Sequence, residues 1–319
     1  MRRFALFLIL LCTAGFVQQA CADTYRKPVI VVLTGSFSGV YYPVGNLLAK
    51  VFAQALPEAK VVVQVTRGAV ENLTLLQAGR GTVAPAMADV VLAAWRGNSQ
   101  VGFTKSYDQL RVMAMAHDTY MHVITSKQSR IHSLHELAGK RIAVGPRSSG
   151  TELNVRALLR SVGLTYQDFI RVEYVSFNEA VDLMLSDQVD VIFQASGLDS
   201  KAMRRLSLAT KINFLPVSAQ IIERMGSVVY EQGVIPAGTY AGQSEPVPTV
   251  VVPNLLMTHA SVSDGTVYAL TRAYLQSVPI LRGSHKALES LQIESRQRLT
   301  DLPLPWHPGA LRYYREMGM

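Results

Sequence analysis

The sequence predicts an α/β protein that is divided into two lobes. Short apolar runs without polar alternation, such as Val29–Leu33, are typical of buried strands in a parallel sheet. This run is followed by a loop of small residues and then by a stretch with helical spacing. The same order recurs from Arg141 onwards, and a chain of 319 residues is longer than one typical domain.

The first loop, residues 34–45, follows the first predicted strand directly. Pro43 predicts the first turn of a helix there, because proline fits a position whose N–H has no partner. A small-residue loop at a helix N-terminus favours anions, since free N–H groups and the helix dipole both attract negative charge. The candidate binding residues of this loop are Thr34, Gly35, Ser36, Phe37, Gly39, Tyr41 and Tyr42.

Composition indicates a globular chain, with 49% hydrophobic and 17% charged residues. The formal charge is +8, but the bases are scattered, and the densest groups are pairs such as Lys140-Arg141. Such pairs are typical of a solvated surface, so no nucleic-acid partner is expected. The protein itself is expected to be a monomer.

The first 22 residues have the pattern of a signal peptide. Arg2 and Arg3 precede an apolar stretch, and Ala20-Cys21-Ala22 forms an A-x-A cleavage site. Lipidation at Cys21 is the alternative, which Gln18 and Gln19 disfavour because a lipoprotein box needs small or branched residues there. Cleavage after Ala22 would leave a chain without cysteine in the periplasm, and no later stretch is apolar enough to span a membrane.

Further along the chain, the apolar pattern predicts the remaining elements. The stretch 235–249 contains several glycines and prolines and is predicted to be irregular. Helices are predicted to begin after Gly68 and after Gly150, to cover residues 178–186, and to fill much of the C-terminal part. Strands are predicted at residues 60–66, 82–89, 110–116, 122–125, 141–144, 189–193, 212–217 and 250–258.

The second lobe repeats the strand, loop and helix of the first. Ser149 or Thr151 is expected to cap the helix that begins there, and its N–H groups would face the first loop across a cleft. The predicted boundaries place residues 23–121 and 250–319 in lobe I and residues 122–249 in lobe II. The candidate binding residues here are Ser148, Ser149, Gly150, Thr151, Gln194 and Ser196.

Arg67 follows the second predicted strand, at the same sheet end as the first loop. Its guanidinium suits a carboxylate held by two hydrogen bonds. The alternative is that it points into solvent. Asn72, in the helix that follows, completes the set of candidate binding residues.

The first loop resembles the T-G-G-x-G-G-V-Y-Y-P-x-G signature of TAXI-type solute receptors, the extracytoplasmic binding proteins of one branch of TRAP transporters. The match continues through further pieces in the same order and spacing, and it covers the chain after the leader. These pieces are Val70-Glu71-Asn72-Leu73, Ser149-Gly150-Thr151-Glu152, Ile235-Pro236-Ala237-Gly238-Thr239-Tyr240, Gly242-Gln243, Val247-Pro248-Thr249-Val250 and His307-Pro308-Gly309-Ala310-Leu311-Arg312-Tyr313-Tyr314.

This resemblance implies a two-lobed periplasmic-binding-protein fold, type II-like, with the ligand cleft between the lobes. It also implies capture of a small organic solute, often a carboxylate, for delivery to a TRAP-type secondary transporter. The chain departs from the family at Ser36, Ser38, Arg67 and Ala69, and at Met87-Ala88, where a polar pair is usual. These departures favour a ligand with one anionic end and an apolar body.

An enzyme is not expected, and neither is a cofactor or a metal. Residues 35–39 place Phe37 where a serine hydrolase would have its nucleophile, and the histidines do not form the H-E-x-x-H pattern of a zinc site. Glu152 and Glu179 are expected to be helix caps or surface pairs, and His307 to be structural. The alternatives are a ligand-sensing subunit for a membrane signalling partner and an exported enzyme.

Overall fold

The computed structural model describes residues 27–37, 39–99, 102–198, 200–289, 291 and 302–319. The predicted signal peptide and Ser38 lie outside the described residues. The α/β class is confirmed, since strands and helices alternate along most of the chain.

The strands are β1 (Val29–Leu33), β2 (Lys60–Gln64), β3 (Val83–Met87), β4 (Leu110–Ser126), β5 (Arg141–Ala143), β6 (Arg171–Glu173), β7 (Val191–Ser196), β8 (Ile212–Phe214), β9 (Glu231–Ile235) and β10 (Val247–His259). The helices are α1 (Tyr41–Ala55), α2 (Ala69–Gln77), α3 (Ala88–Arg96), α4 (Gly150–Ser161), α5 (Phe177–Leu185), α6 (Lys201–Ala209), α7 (Ala219–Met225), α8 (Asp264–Gln276), α9 (Val278–Ser284) and α10 (Pro308–Glu316).

The described strands form one mixed sheet in the order β2-β1-β3-β10-β4-β7-β5-β6, with β8 paired to β4 and β9 paired to β10. One half contains β1, β2 and β3 in parallel, and the other contains β5, β6 and β7 in parallel. The long strands β4 and β10 run antiparallel to each other between these halves. The predicted lobe boundaries at residues 121 and 249 fall inside these two strands.

Three hydrophobic clusters hold the helices on the sheet. One packs α1 and α8 to α10 on the first half, and another packs α5 and α6 on the second half. The third contains residues of α2, α3 and α4 and therefore spans both halves. The halves consequently share buried apolar surface as well as two strands.

Two predicted boundaries in this region were wrong. Residues 110–116 and 122–125 were predicted as separate strands, but β4 continues through the polar residues 117–119 because β10 pairs with Asp118 and Thr119. The strand predicted at residues 189–193 ended too early, since β7 continues through Gln194 and Ser196. The side chain of Gln194 is accommodated there because its Nε2 donates to the hydroxyls of Ser196 and Ser200.

The irregular stretch predicted at residues 235–249 was too long at its C-terminal end. Strand β10 begins at Val247, and Pro248 lies opposite Val234 of β9. Strand β9 lies at an edge of the sheet. The proline of β10 opposite it is tolerated because the backbone N–H that proline lacks costs least near a sheet edge. Helices α6 and α7 were not predicted individually.

The pairing of β4 with β10 is interrupted where the two halves meet. Pro253 lies opposite Asp118 and Leu255 opposite Met115, so two residues of β4 face Asn254 alone. This arrangement is a β-bulge, which kinks a strand and re-aims a side chain. The Asn254 amide holds the bulge by donating to the His117 carbonyl oxygen at 3.1 Å and to the Thr119 hydroxyl at 2.6 Å.

We expect Gly309→Ala to destabilise the protein by about 3 kcal/mol through overpacking. Helix α10 approaches α8 so closely that an added Cβ would lie 2.2 Å from the Asp264 carbonyl oxygen and 2.9 Å from the Tyr268 amide nitrogen. Both atoms belong to the backbone and cannot rotate away. Urea unfolding measures the effect, with Gly265→Ala as the control because a Cβ there meets nothing within 4 Å. Equal stability of the two variants would show that α10 shifts freely.

Candidate functional site

The first loop is held in place by buried polar side chains. The Thr34 hydroxyl donates to the Gln64 carbonyl oxygen at 2.9 Å. The Thr34 carbonyl oxygen accepts from the Thr66 hydroxyl at 2.9 Å and from the Asn72 amide at 2.8 Å. The same Asn72 amide donates to the Pro85 carbonyl oxygen, so the ends of β1, β2 and β3 are tied together.

A cavity of about 60 Å³ lies where the two halves of the sheet meet. Its wall combines the loops after β1 and β2, the bulge region of β4, the loop after β5 and the end of β7. This volume suits a compact chemical group or a few water molecules. The lining residues are Gly35, Ser36, Gly39, Val40, Tyr41, Arg67, Gly68, Ala69, Met87, His117, Thr119, Pro146, Ser149, Gly150, Thr151, Phe177, Ala195 and Ser196.

Four helices begin at this cavity. Tyr41, Ala69, Gly150 and Phe177 line it, and they are the first residues of α1, α2, α4 and α5. The N–H groups of a first helical turn have no partner within their own helix, and the helix dipole adds partial positive charge. In α4 the Ser149 hydroxyl satisfies one of these groups, the N–H of Glu152, at 3.3 Å. The cavity is therefore lined by positive ends of dipoles from both halves.

Among the described residues that line the cavity, Arg67 is the one with a permanently charged side chain. Its side chain is 67% exposed, and its Nε lies 3.0 Å from Glu71 Oε2. It therefore stands at the rim rather than inside. An exposed pair of this kind contributes little energy, so the guanidinium is able to exchange Glu71 for an anion.

His117 lies at the floor of the cavity and is 1% exposed. Neither ring nitrogen has a hydrogen-bond partner among the described residues. Burial, with a smaller contribution from His285, lowers the pKa of His117 to about 3, so the ring is neutral at pH 7. The ring packs edge-on against Tyr41, whose hydroxyl donates to Asn254 Oδ1.

The candidates from the sequence fall into two groups. Those that line the cavity are Gly35, Ser36, Gly39, Tyr41, Arg67, Ser149, Gly150, Thr151 and Ser196. Those that do not line it are Thr34, Phe37, Tyr42, Asn72, Ser148 and Gln194. A binding role for any of these residues stays a prediction. In the structure, Thr34 and Asn72 form hydrogen bonds that hold the first loop in place.

Several lining residues were not predicted from the sequence, including Met87, His117, Thr119 and Phe177. One signal for Phe177 is present, since Ser176 and Glu179 form a capping box that marks the start of α5. The polar interruption at residues 117–119 within an apolar strand is the corresponding signal for His117 and Thr119. The remaining members, such as Val40 and Ala195, carry no distinguishing sequence feature.

A larger basic groove adjoins the cavity, with which it shares Gly39 and Val40. The groove has a volume of about 670 Å³, and Phe37 and Tyr42 contact each other on its wall at a centroid distance of 4.6 Å. Its positive potential would concentrate anions near the cavity. The basic residues that line the groove are Lys201, Arg204, Arg205, His285 and Lys286.

A second polar cluster links α3 with α4. The buried Asp89 carboxylate accepts hydrogen bonds from the Asn154 amide and, at 3.0 Å, from the Tyr230 hydroxyl. Burial raises the pKa of Asp89 to about 6, and the two donors oppose that shift. This cluster connects the halves beside the cavity without lining it.

Two kinds of feature are absent from the part of the chain that the structure describes. No helix within it is both long and apolar enough to cross a membrane. No three histidine, cysteine, aspartate or glutamate side chains within it are grouped closely enough to hold a metal ion.

A mixed sheet with helices on its faces and a cavity between its halves defines the two-lobed fold of the periplasmic binding proteins, as the sequence predicted. The chain belongs to the NMT1-like family, whose model matches residues 32–318.

Three solved structures show the same fold. PhnD1 from Prochlorococcus marinus (MIT 9301), in complex with methylphosphonate, superposes with a TM-score of 0.55 at 13% identity, covering 86% of this chain and 97% of that chain. The periplasmic binding protein BugD gives 0.54 at 14% identity, with coverages of 92% and 99%. XAC2383 from Xanthomonas citri, bound to ATP, gives 0.52 at 15% identity, with coverages of 90% and 98%.

Proposed function

We propose that this protein is a periplasmic receptor that captures a small organic solute bearing a carboxylate or a similar anionic group. It delivers that solute to the membrane subunits of a TRAP-type secondary transporter. The observation that carries the proposal is the meeting of four helix N-termini at one cavity between the lobes. Main-chain N–H groups arranged in this way bind anions without a fixed cationic partner.

The charge distribution supports an anionic solute. No carboxylate side chain is among the described residues that line the cavity, whereas Arg67 stands at its rim and basic residues line the adjoining groove. An anion in the cavity is therefore stabilised by the helix dipoles, by Arg67 and by the positive potential of the groove. No carboxylate of the described lining residues repels it. The apolar Met87 and Phe177 would contact the less polar part of the solute.

The similar solved structures also support a receptor function. PhnD1 is described with methylphosphonate bound, and BugD is described as a periplasmic binding protein. The narrower assignment to the TAXI branch rests on the first loop, whose residues Gly35, Gly39 and Tyr41 line the cavity.

Binding is proposed to close the lobes about β4 and β10. Residues 23–121 with 250–319 and residues 122–249 would be the moving bodies, with the bulge opposite Asn254 as the flexible point. Because the lining residues come from both bodies, a bound solute makes its full set of contacts only when they approach each other. A ligand shifts such an equilibrium by its differential affinity for the closed form.

We therefore expect the radius of gyration to decrease when the solute binds. Small-angle X-ray scattering of the protein, first freed of solute by unfolding and refolding and then saturated, makes the measurement. An unchanged radius, with binding shown by calorimetry, would mean that the cavity is rigid.

The function itself is tested by identifying the molecule that the protein retains. The protein is purified natively and denatured, and the released small molecules are analysed by mass spectrometry. We expect one small organic anion in an amount comparable to that of the protein, and its absence from a preparation that was unfolded and refolded before analysis. Recovery of a neutral or cationic molecule that rebinds to the protein would contradict the proposal.

A further inference from the structure

In its neutral form, the ring of His117 would keep one nitrogen unpaired beside a bare anionic group. A neutral imidazole has one N–H donor and one nitrogen acceptor, and both are buried here without a partner among the described residues. An unpaired buried polar group is costly, so the site must supply partners when it is occupied. A bare anionic group accepts hydrogen bonds but donates none, so it satisfies only half of this ring.

His122 shows what a structural histidine looks like in the same strand. It is also fully buried and neutral, because burial lowers its pKa to about 4. Its Nδ1 lies 3.0 Å from the Tyr120 carbonyl oxygen and 3.2 Å from that of Gln194, and its Nε2 lies 2.9 Å from the Tyr240 hydroxyl. Both nitrogens of His122 therefore have partners in the fold, whereas those of His117, which lines the cavity, have none among the described residues.

The surroundings of His117 limit which chemical group is able to pair with its ring. The cavity of about 60 Å³ admits only a compact group next to the anionic head. An ammonium would donate to the ring, but the four helix N-termini and Arg67 disfavour positive charge at this place. A hydroxyl is small and neutral, and it is able to donate to the ring nitrogen that carries no proton, which a bare anionic group is not.

We propose that the solute carries a hydroxyl group beside its anionic group, and that His117 is the residue that binds this hydroxyl. The inference rests on the proposed function, since it specifies the class of solute that the same site receives. The solute is then a hydroxy acid or its phosphonate or sulfonate equivalent, with the acid on the helix N-termini and the hydroxyl on the imidazole.

Matched pairs of probes test the assignment by calorimetry on protein freed of its retained solute. The pairs are glycolate with acetate, lactate with propionate, hydroxymethylphosphonate with methylphosphonate, and hydroxymethanesulfonate with methanesulfonate. For the head group that binds, we expect the hydroxylated member to bind at least about 10-fold more tightly, because the other member leaves the ring unpaired.

Variants separate this role from a structural one. We expect His117→Gln to keep a preference for the hydroxylated probe, since an amide retains a donor and an acceptor. We expect His117→Phe to lose the preference and to bind both members of a pair with similar affinity. His122→Phe is the matched control, and we expect it to lower stability while leaving the ratio of affinities as in the wild type.

The possible results distinguish failure of the hydroxyl assignment from failure of the proposed function. Equal binding of both members by the wild type, or an unchanged ratio in His117→Phe, overturns the hydroxyl assignment and leaves the anion site standing. Failure of every probe, combined with a retained solute that has no anionic group, overturns the proposed function itself. A retained solute that is an anion without a hydroxyl overturns the further inference alone.

Discussion

Replacement of Gly150 by leucine is expected to weaken solute binding by about 100-fold or more while the protein still folds. A Cβ at this position would lie 2.1 Å from Met87 Cε and 3.5 Å from Ala69 Cβ. The end of the Met87 side chain is flexible, and the free space available to it or to the leucine is the cavity itself. Both side chains together would fill the place of the anionic group and cover the N-terminus of α4.

The measurement is a calorimetric titration of the released solute into wild-type and variant protein, with unfolding by urea as the test of folding. Gly265→Leu is the matched control, since Gly265 also lies in the first turn of a helix and a Cβ there meets nothing within 4 Å. We expect the control to bind as the wild type does. Wild-type affinity in the Gly150 variant would place the solute elsewhere.

The second large effect is a loss of stability at acidic pH. His117 and His122 have pKa values of about 3 and about 4 in the folded protein, against 6.5 in the unfolded chain. As the pH falls below 6.5 the unfolded chain binds protons on these residues that the folded chain does not, so folding becomes less favourable. Asp89 acts in the opposite direction, because its pKa is raised from 3.8 to about 6 and the folded state binds its proton first.

The net result is a decrease in the free energy of unfolding of about 3–5 kcal/mol between pH 6.5 and pH 4, since two histidines outweigh one carboxyl group. His259 and His307, whose pKa values are also lowered by burial, add to the decrease. Urea unfolding at several pH values across this range makes the measurement.

Two variants assign the effect to its sources. We expect His122→Gln to reduce the loss of stability, since it removes one of the proton acceptors of the unfolded chain. We expect Asp89→Asn to increase the loss, because it removes the group whose protonation favours the folded state. Stability that stays constant or rises between pH 6.5 and pH 4 would contradict these assignments.

Local sequence signals predicted the elements whose N-terminal ends line the cavity. The apolar run of β1, Pro43 near the start of α1 and Ser149 before α4 act through nearest neighbours along the chain, so they are readable without a structure. They were sufficient to place loop residues of both lobes at one cavity, which the structure shows for Gly35, Tyr41 and Gly150.

The position of His117 was not predictable in the same way. It depends on the bulge opposite Asn254, a residue that is distant in sequence, and thus on the register between β4 and β10. The polar residues 117–119 are expected at a strand end when only their neighbours are considered. Strand pairing overrides that local preference, and the same reason explains why Gln194 lies inside β7.

The helix N-termini at the cavity are proposed to bind the anionic group of the solute. A crystal structure of the protein with its retained solute tests this most directly. We expect the anionic oxygens to lie about 3 Å from main-chain nitrogens at the starts of α1 and α4, the typical hydrogen-bond distance. Placement of the anionic group in the basic groove beside Lys201 and Arg204, with the cavity holding only water, would contradict the claim.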